Sequence, residues 1–180
     1  MFTSSPDDYE TERLNALHEY DILNTASEPA FEELVSLAAL IYQAPIALLS
    51  LIDEQRQWFK ARVGQMPAQL PREMSLCIYS VQYNQVLVIT DTQLDDRFSS
   101  HPLVIDEPHI RFYASSPMVT PDGHAIGALC VMDYQPRTIE VWQVDALKLL
   151  SQQAMRQIEI RLHLLTMSEA MFNCTNIFMH

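Results

Sequence analysis

Only three of the 180 residues are glycine: Gly64, Gly123 and Gly127. A chain so poor in glycine has no phosphate-cradling loop, because such loops need several positions free of Cβ. Neither a G-x-S-x-G elbow nor an H-E-x-x-H helix occurs, which removes two common hydrolytic arrangements. Cysteine is equally scarce. Cys77, Cys130 and Cys174 stand far apart with no C-x-x-C pair, a pattern that excludes a disulfide framework and fits a reducing cytoplasm. The six histidines (His18, His101, His109, His124, His163 and His180) show no metal-ligand spacing. No metal and no cofactor is therefore expected. No apolar run approaches the roughly 20 residues of a membrane span. The opening MFTSSPDDYE lacks the basic and apolar regions of a signal peptide. Basic residues are few, 11 Lys and Arg against 23 Asp and Glu, for a net charge of −12. Residues 1–33 hold nine acids against the single base Arg13. Phosphate backbones and anionic lipid would be repelled, so neither nucleic acid nor membrane is expected as a partner.

What the chain does have is apolar content, 48% of residues, in a length suited to one domain. Ser5-Pro6-Asp7-Asp8 reads as a capped helix start with Pro in the first turn, running to about Tyr20 with Leu14 and Leu17 on one face. Thr25-x-x-Glu28 has the form of a capping box. Phe31, Leu34, Val35, Ala38 and Ile41 then recur at helical spacing to about Gln43, and Pro45 stops them. Ile46–Ile52 is a short apolar run suited to a central strand. Asp53-Glu54 is a turn, and a second strand over Gln55–Val63 alternates Gln57, Phe59, Ala61 against Trp58, Lys60, Arg62. Gly64–Arg72 reads as a loop, Ser75–Tyr83 as a short helix and Val86–Thr90 as a strand. Asp91–Pro108 is irregular, with a turn of helix at Asp95–Phe98.

The segment Glu107–Asp133 organises the rest. Thr120-Pro121-Asp122-Gly123-His124 is a turn with a mechanism: proline presets φ, Asp bonds its own backbone, and glycine takes φ > 0. It joins two strands. The second, Ile126–Met132, is apolar on both alternating sets, so it lies mid-sheet and covered on both faces. Val141 to about Leu165 reads as a long helix with more apolar surface than one sheet face can cover, which implies a partner helix. Thr166–His180 has no clear pattern.

The element order and the stretches DEQRQWFKARVG (53–64), DDRFSSHPLV (95–104) and EPHIRFYASSPMVTPDGHAIGALCVMD (107–133) together resemble a GAF domain. They are similar to the subgroup found in bacterial sensor histidine kinases and diguanylate cyclases, here standing alone. The resemblance covers about residues 11–163, with residues 1–10 as the start of the first helix and 164–180 as a tail. It implies an α+β, PAS-like antiparallel sheet of five or six strands. The N- and C-terminal helices would cover one face, and pocket-roofing loops and short helices the other. It also implies a small-molecule ligand and a homodimer built through terminal helices. A sensor kinase or cyclase would be the output partner, although no such domain follows within these 180 residues. Two departures bear on chemistry. The subgroup's Ser-Phe-Cys-x-His is here Ser75-Leu76-Cys77-Ile78-Tyr79, and no Cys-His dipeptide exists to carry a bilin.

Candidate ligand-binding residues follow. His109 and Arg111 precede Phe112-Tyr113, a cation and two rings able to hold an anionic or planar molecule; the plainer reading pairs Arg111 with Asp106 or Glu107. Asp96, Arg97 and Phe98 belong to a loop that either meets ligand or bonds internally. Trp58 stacks on ligand or packs across strands. Cys77 and Tyr79 lie in the roof helix. Neither Cys77 nor Cys130 has a base adjacent in sequence, so both read as inert core. Three hypotheses stand: a non-enzymatic small-molecule sensor or adaptor, a thiol-dependent reductase of free methionine sulfoxide, and a dimerisation scaffold with a filled pocket.

Overall fold

A computed structural model describes residues 6–177. Its centre is a six-stranded, wholly antiparallel sheet of order β3-β2-β1-β6-β5-β4. The strands are β1 (Ile46–Ile52), β2 (Arg56–Val63), β3 (Gln69–Pro71), β4 (Leu87–Ile89), β5 (Phe112–Val119) and β6 (Ala125–Asp133). Every residue of β1 and of β6 is buried, as a mid-sheet strand covered on both faces must be. Their backbones approach closely at Gly127, where a Cβ would fall 2.0 Å from the Ser50 carbonyl oxygen. The β5–β6 turn places Gly123 at φ +98, the left-handed region the sequence assigns to it.

Helices α1 (Pro6–Glu19), α2 (Pro29–Tyr42) and α5 (Val141–Ile177) cover one face. Leu17, Phe31, Val35, Leu49, Leu129, Val131, Leu147 and Ile158 form its fully buried core, each side chain contributing roughly 1.5–3 kcal/mol of apolar transfer. Over the other face lie a 3-10 turn at Arg72–Met74, α3 (Ile78–Tyr83), a second 3-10 turn at Thr92–Leu94, and α4 (Pro102–Ile105). Ile46, Leu48, Phe59, Leu76, Phe98, Leu103, Cys130 and Met132 fill that layer. The expected cavity between sheet and roof is therefore largely side-chain core.

Polar ties lock the helical layer. Lys60, with a wholly buried side chain, donates to Thr25 Oγ1 (2.8 Å), the Ala26 carbonyl (2.6 Å) and Glu28 (2.7 Å). Arg161 of α5 reaches the same Glu28 carboxylate at 3.0 Å. Arg137 donates to Asp133 and to the Tyr42 and Gln43 carbonyls, closing the end of α2.

Several local expectations are corrected. Thr25 and Glu28 form no capping box: the Thr25 hydroxyl donates to Ile22 O at 2.7 Å, and Lys60 and Arg161 occupy the Glu28 carboxylate. Ser5, the expected cap of α1, lies outside the described residues. The alternation of β2 inverts midway. Leu49 pairs with Ala61 and Ser50 with Phe59, so Lys60 is the extra residue of a bulge. Phe59 thus faces the roof while Ala61 joins Trp58 on the helical side. The loop over 64–72 contains β3, and the roof helix begins at Ile78 rather than Ser75. A 3-10 turn at Thr92–Leu94, capped by Asp91 through Gln93 N–H, was not expected, while the turn expected at Asp95–Phe98 is present, with Phe98 N–H and Ser99 N–H both donating to the Asp95 carbonyl at 2.9 Å. Residues 166–177 are not patternless tail but continue the helix, in a stretch with neither Gly nor Pro. At about 1.5 Å per residue α5 is roughly 56 Å long, and residues 163–172 are exposed throughout.

Candidate functional site

A recess of about 540 Å³ opens between the β1–β2 turn and the roof elements. Glu54 and Gln55 of that turn form one rim, and Arg72 and Glu73 of the first 3-10 turn form another. Ile78 and Tyr79 of α3 give an apolar wall, with Ser75 and His101 completing the lining. Tyr79 is fixed by an edge-on contact with the Phe98 ring at 4.8 Å. Arg72 donates to the Asp53 carbonyl at 2.6 Å and pairs with Glu10 of α1 at 2.7 Å, so the recess is wired to the first helix.

Two lining residues are unusual. Ser75 is 1% exposed, and its hydroxyl has no hydrogen-bond partner. His101 caps α4: its Nδ1 accepts from Leu103 N–H at 3.1 Å, which places the ring proton on Nε2. That Nε2–H is buried and unpartnered as well. Burial lowers the His101 pKa, favouring the neutral ring. Unsatisfied buried polar atoms are rare and costly, and here two belong to residues lining one recess.

Behind the recess, Cys77 is fully buried. Its sulfur accepts from Tyr113 OH at 3.0 Å and Gln57 Nε2 at 3.1 Å. The Ser50 hydroxyl lies 3.5 Å away but directs its one proton at the nearer Ala128 carbonyl, 3.0 Å. Burial alone would raise the Cys77 pKa. Hydrogen bonds, those from Cys130 and Tyr113 foremost, outweigh it and bring the thiol down to about 7. Burial and the neighbouring Cys77 push Cys130 well up, and burial with both cysteines does the same to Tyr113. Cys77 is thus buried core, as the sequence reads it, and its polar surroundings come from β1, β2, β5 and β6, where no neighbour in sequence could have shown them.

The other sequence candidates scatter. Trp58 packs on the helical side, and so does Phe112, whose ring lies 6.4 Å from that of Tyr42; neither faces the recess. Arg111 pairs with Asp91 (3.0 and 2.8 Å) rather than with Asp106 or Glu107. Asp95 accepts from Arg97 at 2.6 Å, closing that loop on itself. Asp96 is exposed, and Phe98 is a buried anchor. His109 is exposed at φ +56, its Nδ1 3.4 Å from Val104 O. Only Tyr79 of the ten lines the recess, with Cys77 and Tyr113 behind it. Arg72, Ser75 and His101 were missed; His101 before Pro102, a capping position, was the one local signal for any of them. Among the described residues no cluster of three or more His, Cys, Asp or Glu could hold a metal, and no helix is long and apolar enough to cross a membrane.

Known proteins agree with this architecture. The family model of the GAF domain matches residues 21–162. A cyclic di-GMP phosphodiesterase of Pseudomonas aeruginosa is 43% identical over 116 residues, 64% of this chain. The matched region spans a fifth of that relative's length. Among solved structures, the GAF domain of an Acinetobacter phosphoenolpyruvate-protein phosphotransferase superposes with TM-score 0.60 at 19% identity, covering 83% of this chain and 92% of that one. The free methionine-R-sulfoxide reductase of Neisseria meningitidis, in complex with its substrate, gives 0.59 at 14%, covering 88% and 94%. At such identities these two show the fold alone.

Proposed function

This chain belongs to the GAF domain family, and from that premise we propose that it is a non-enzymatic, small-molecule-sensing module of bacterial signal transduction. The ligand site is the recess under the roof. One observation carries this reading: Ser75 and His101 line the same recess, and Ser75 Oγ and His101 Nε2–H are each buried and unpartnered. A ligand supplying their missing partners would stabilise the occupied state. Arg72 gives the site an outlet, since any ligand that recruits its guanidinium competes with Glu10 of α1. Such competition biases a two-state equilibrium by the difference in ligand affinity between the states. The output passes along α5, which carries Ile160, Leu164 and Met167 exposed at 48%, 62% and 62%. Spacings of four and three match one coiled-coil seam, and a homodimer forms there. The setting is cytoplasmic and the output enzyme is of the kinase or cyclase type, with the phosphodiesterase relative supporting a phosphodiesterase as a third. The test is a thermal-shift and calorimetric screen of metabolites against wild type and Ser75→Ala; a hit that the variant binds equally well overturns the site.

A second reading, thiol-dependent reduction of a free sulfoxide, is favoured by the Cys130 thiol beside a Cys77 sulfur held near pH 7. It requires turnover of free methionine sulfoxide that disappears in Cys77→Ser; no turnover by wild type removes it.

A further inference from the structure

The ligand class can be read from the recess, an inference that rests on the recess being the ligand site. We propose that it takes a small zwitterion of the amino-acid class, its carboxylate on the Ser75 hydroxyl and the His101 Nε2–H and its ammonium toward Glu54 and Glu73. The inner groups that lack partners are donors. His101 can only donate from Nε2, because its Nδ1 is engaged by Leu103 N–H. The Ser75 hydroxyl can donate too, and Arg72 adds a guanidinium that keeps several N–H groups for a ligand beyond its bonds to the Asp53 carbonyl and Glu10. Donors around a cation call for a carboxylate-like acceptor, and charge-assisted bonds of this kind are the strong ones.

A simple anion is nevertheless a poor match. Glu54 and Glu73 are exposed on the rim, and with Arg72 they leave the lining one negative charge in excess. The chain as a whole carries −12, so a phosphate or a dicarboxylate meets repulsion on approach. A ligand with its own cation turns the rim acids into partners and is neutral overall. Ile78 and Tyr79 offer an apolar wall between the two ends, suited to an uncharged side chain. The volume of about 540 Å³ lies within the ordinary range of small-molecule sites.

The experiment is calorimetry or ligand-observed NMR on the full chain with three matched sets of probes. These are free amino acids, the corresponding α-keto acids without an ammonium, and the corresponding amines without a carboxylate. At least one amino acid is expected to bind, with its keto acid and amine each roughly tenfold or more weaker. Ser75→Ala and Glu73→Gln should weaken the amino acid similarly. His101→Asn should as well, because Asn preserves the cap on α4 while removing the ring donor. Thermal melts accompany each variant to show that it is folded. A keto acid or amine that binds as tightly as its amino acid overturns the class, as does an amino acid whose affinity ignores Ser75→Ala. Nucleotides serve as a fourth set. Ser75-dependent binding of a nucleotide but of no amino acid overturns the zwitterion and leaves the sensor reading standing. No binding in any set, with ordered water on Ser75 Oγ and His101 Nε2 in a crystal structure, overturns both.

Discussion

Replacing Tyr113 with Phe removes one hydroxyl from the buried nest around Cys77 and little else, since the ring is wholly enclosed and its volume is kept. The lost contact is the 3.0 Å O–H to sulfur bond. A hydrogen bond to a charged acceptor contributes about 1.5–3 kcal/mol, and one pKa unit corresponds to about 1.4 kcal/mol. The Cys77 thiol, at about 7 in the wild type, should therefore rise by roughly one to two units. The assay is the pH dependence of the Cys77 Cβ chemical shift by NMR, with Cys130→Ala as a control that removes a different donor. A Cys77 midpoint that stays put or falls in Tyr113→Phe would refute the account of the nest. The sign carries over to stability. Cys77 is depressed below its unfolded value of 9, so its thiolate contributes stability that is present above 9 and lost as pH falls through about 7. Cys130 and Tyr113 are raised, so above their ordinary values of 9 and 10 they withdraw stability as pH rises. Urea unfolding should accordingly show stability climbing from pH 7 toward 9 and then declining.

Three further perturbations follow from the same geometry. Gly127→Ala places a Cβ 2.0 Å from the Ser50 carbonyl and 3.0 Å from Leu51 Cα; forcing β1 and β6 apart should cost about 3 kcal/mol in urea melts, and a loss under 1 would contradict the close approach. Lys60→Met removes three hydrogen bonds but leaves Glu28 with Arg161, so the expected loss is about 2 kcal/mol rather than the larger penalty of a stranded charge. Deleting residues 163–180 takes away only exposed side chains among those described; the melting temperature should hold within a few degrees while sizing shows the proposed homodimer dissociating, and a dimer left unchanged by the deletion would move the interface elsewhere.

The fold was legible because its signals are local. The Pro121-Asp122-Gly123 turn, the two-sided apolar run of β6 and the helical spacing from Phe31 to Ile41 each point to one structure without outside help. β2 was legible as a strand but not in its faces, since the bulge at Lys60 depends on register with β1 and leaves no mark in the alternation of β2 itself. The site was harder for a related reason. The thiol nest assembles Ser50, Gln57, Cys77, Tyr113 and Cys130 from four strands and a loop, and the recess joins Ser75 to a histidine 26 positions away. His109, Arg111, Phe112 and Tyr113 looked like one cluster because they are adjacent in sequence. In a strand adjacent side chains part to opposite faces, and Phe112 and Tyr113 do so: one faces Tyr42 of α2, the other Cys77.

The central claim is that the roof recess holds a small molecule through Ser75 and His101. Ligand-observed NMR of a mixed metabolite extract tests it most directly, comparing the wild-type chain with the Ser75→Ala/His101→Asn double variant. The account predicts at least one metabolite whose signals the wild type attenuates and the folded double variant does not. Equal attenuation by both proteins, or none by either, would contradict it.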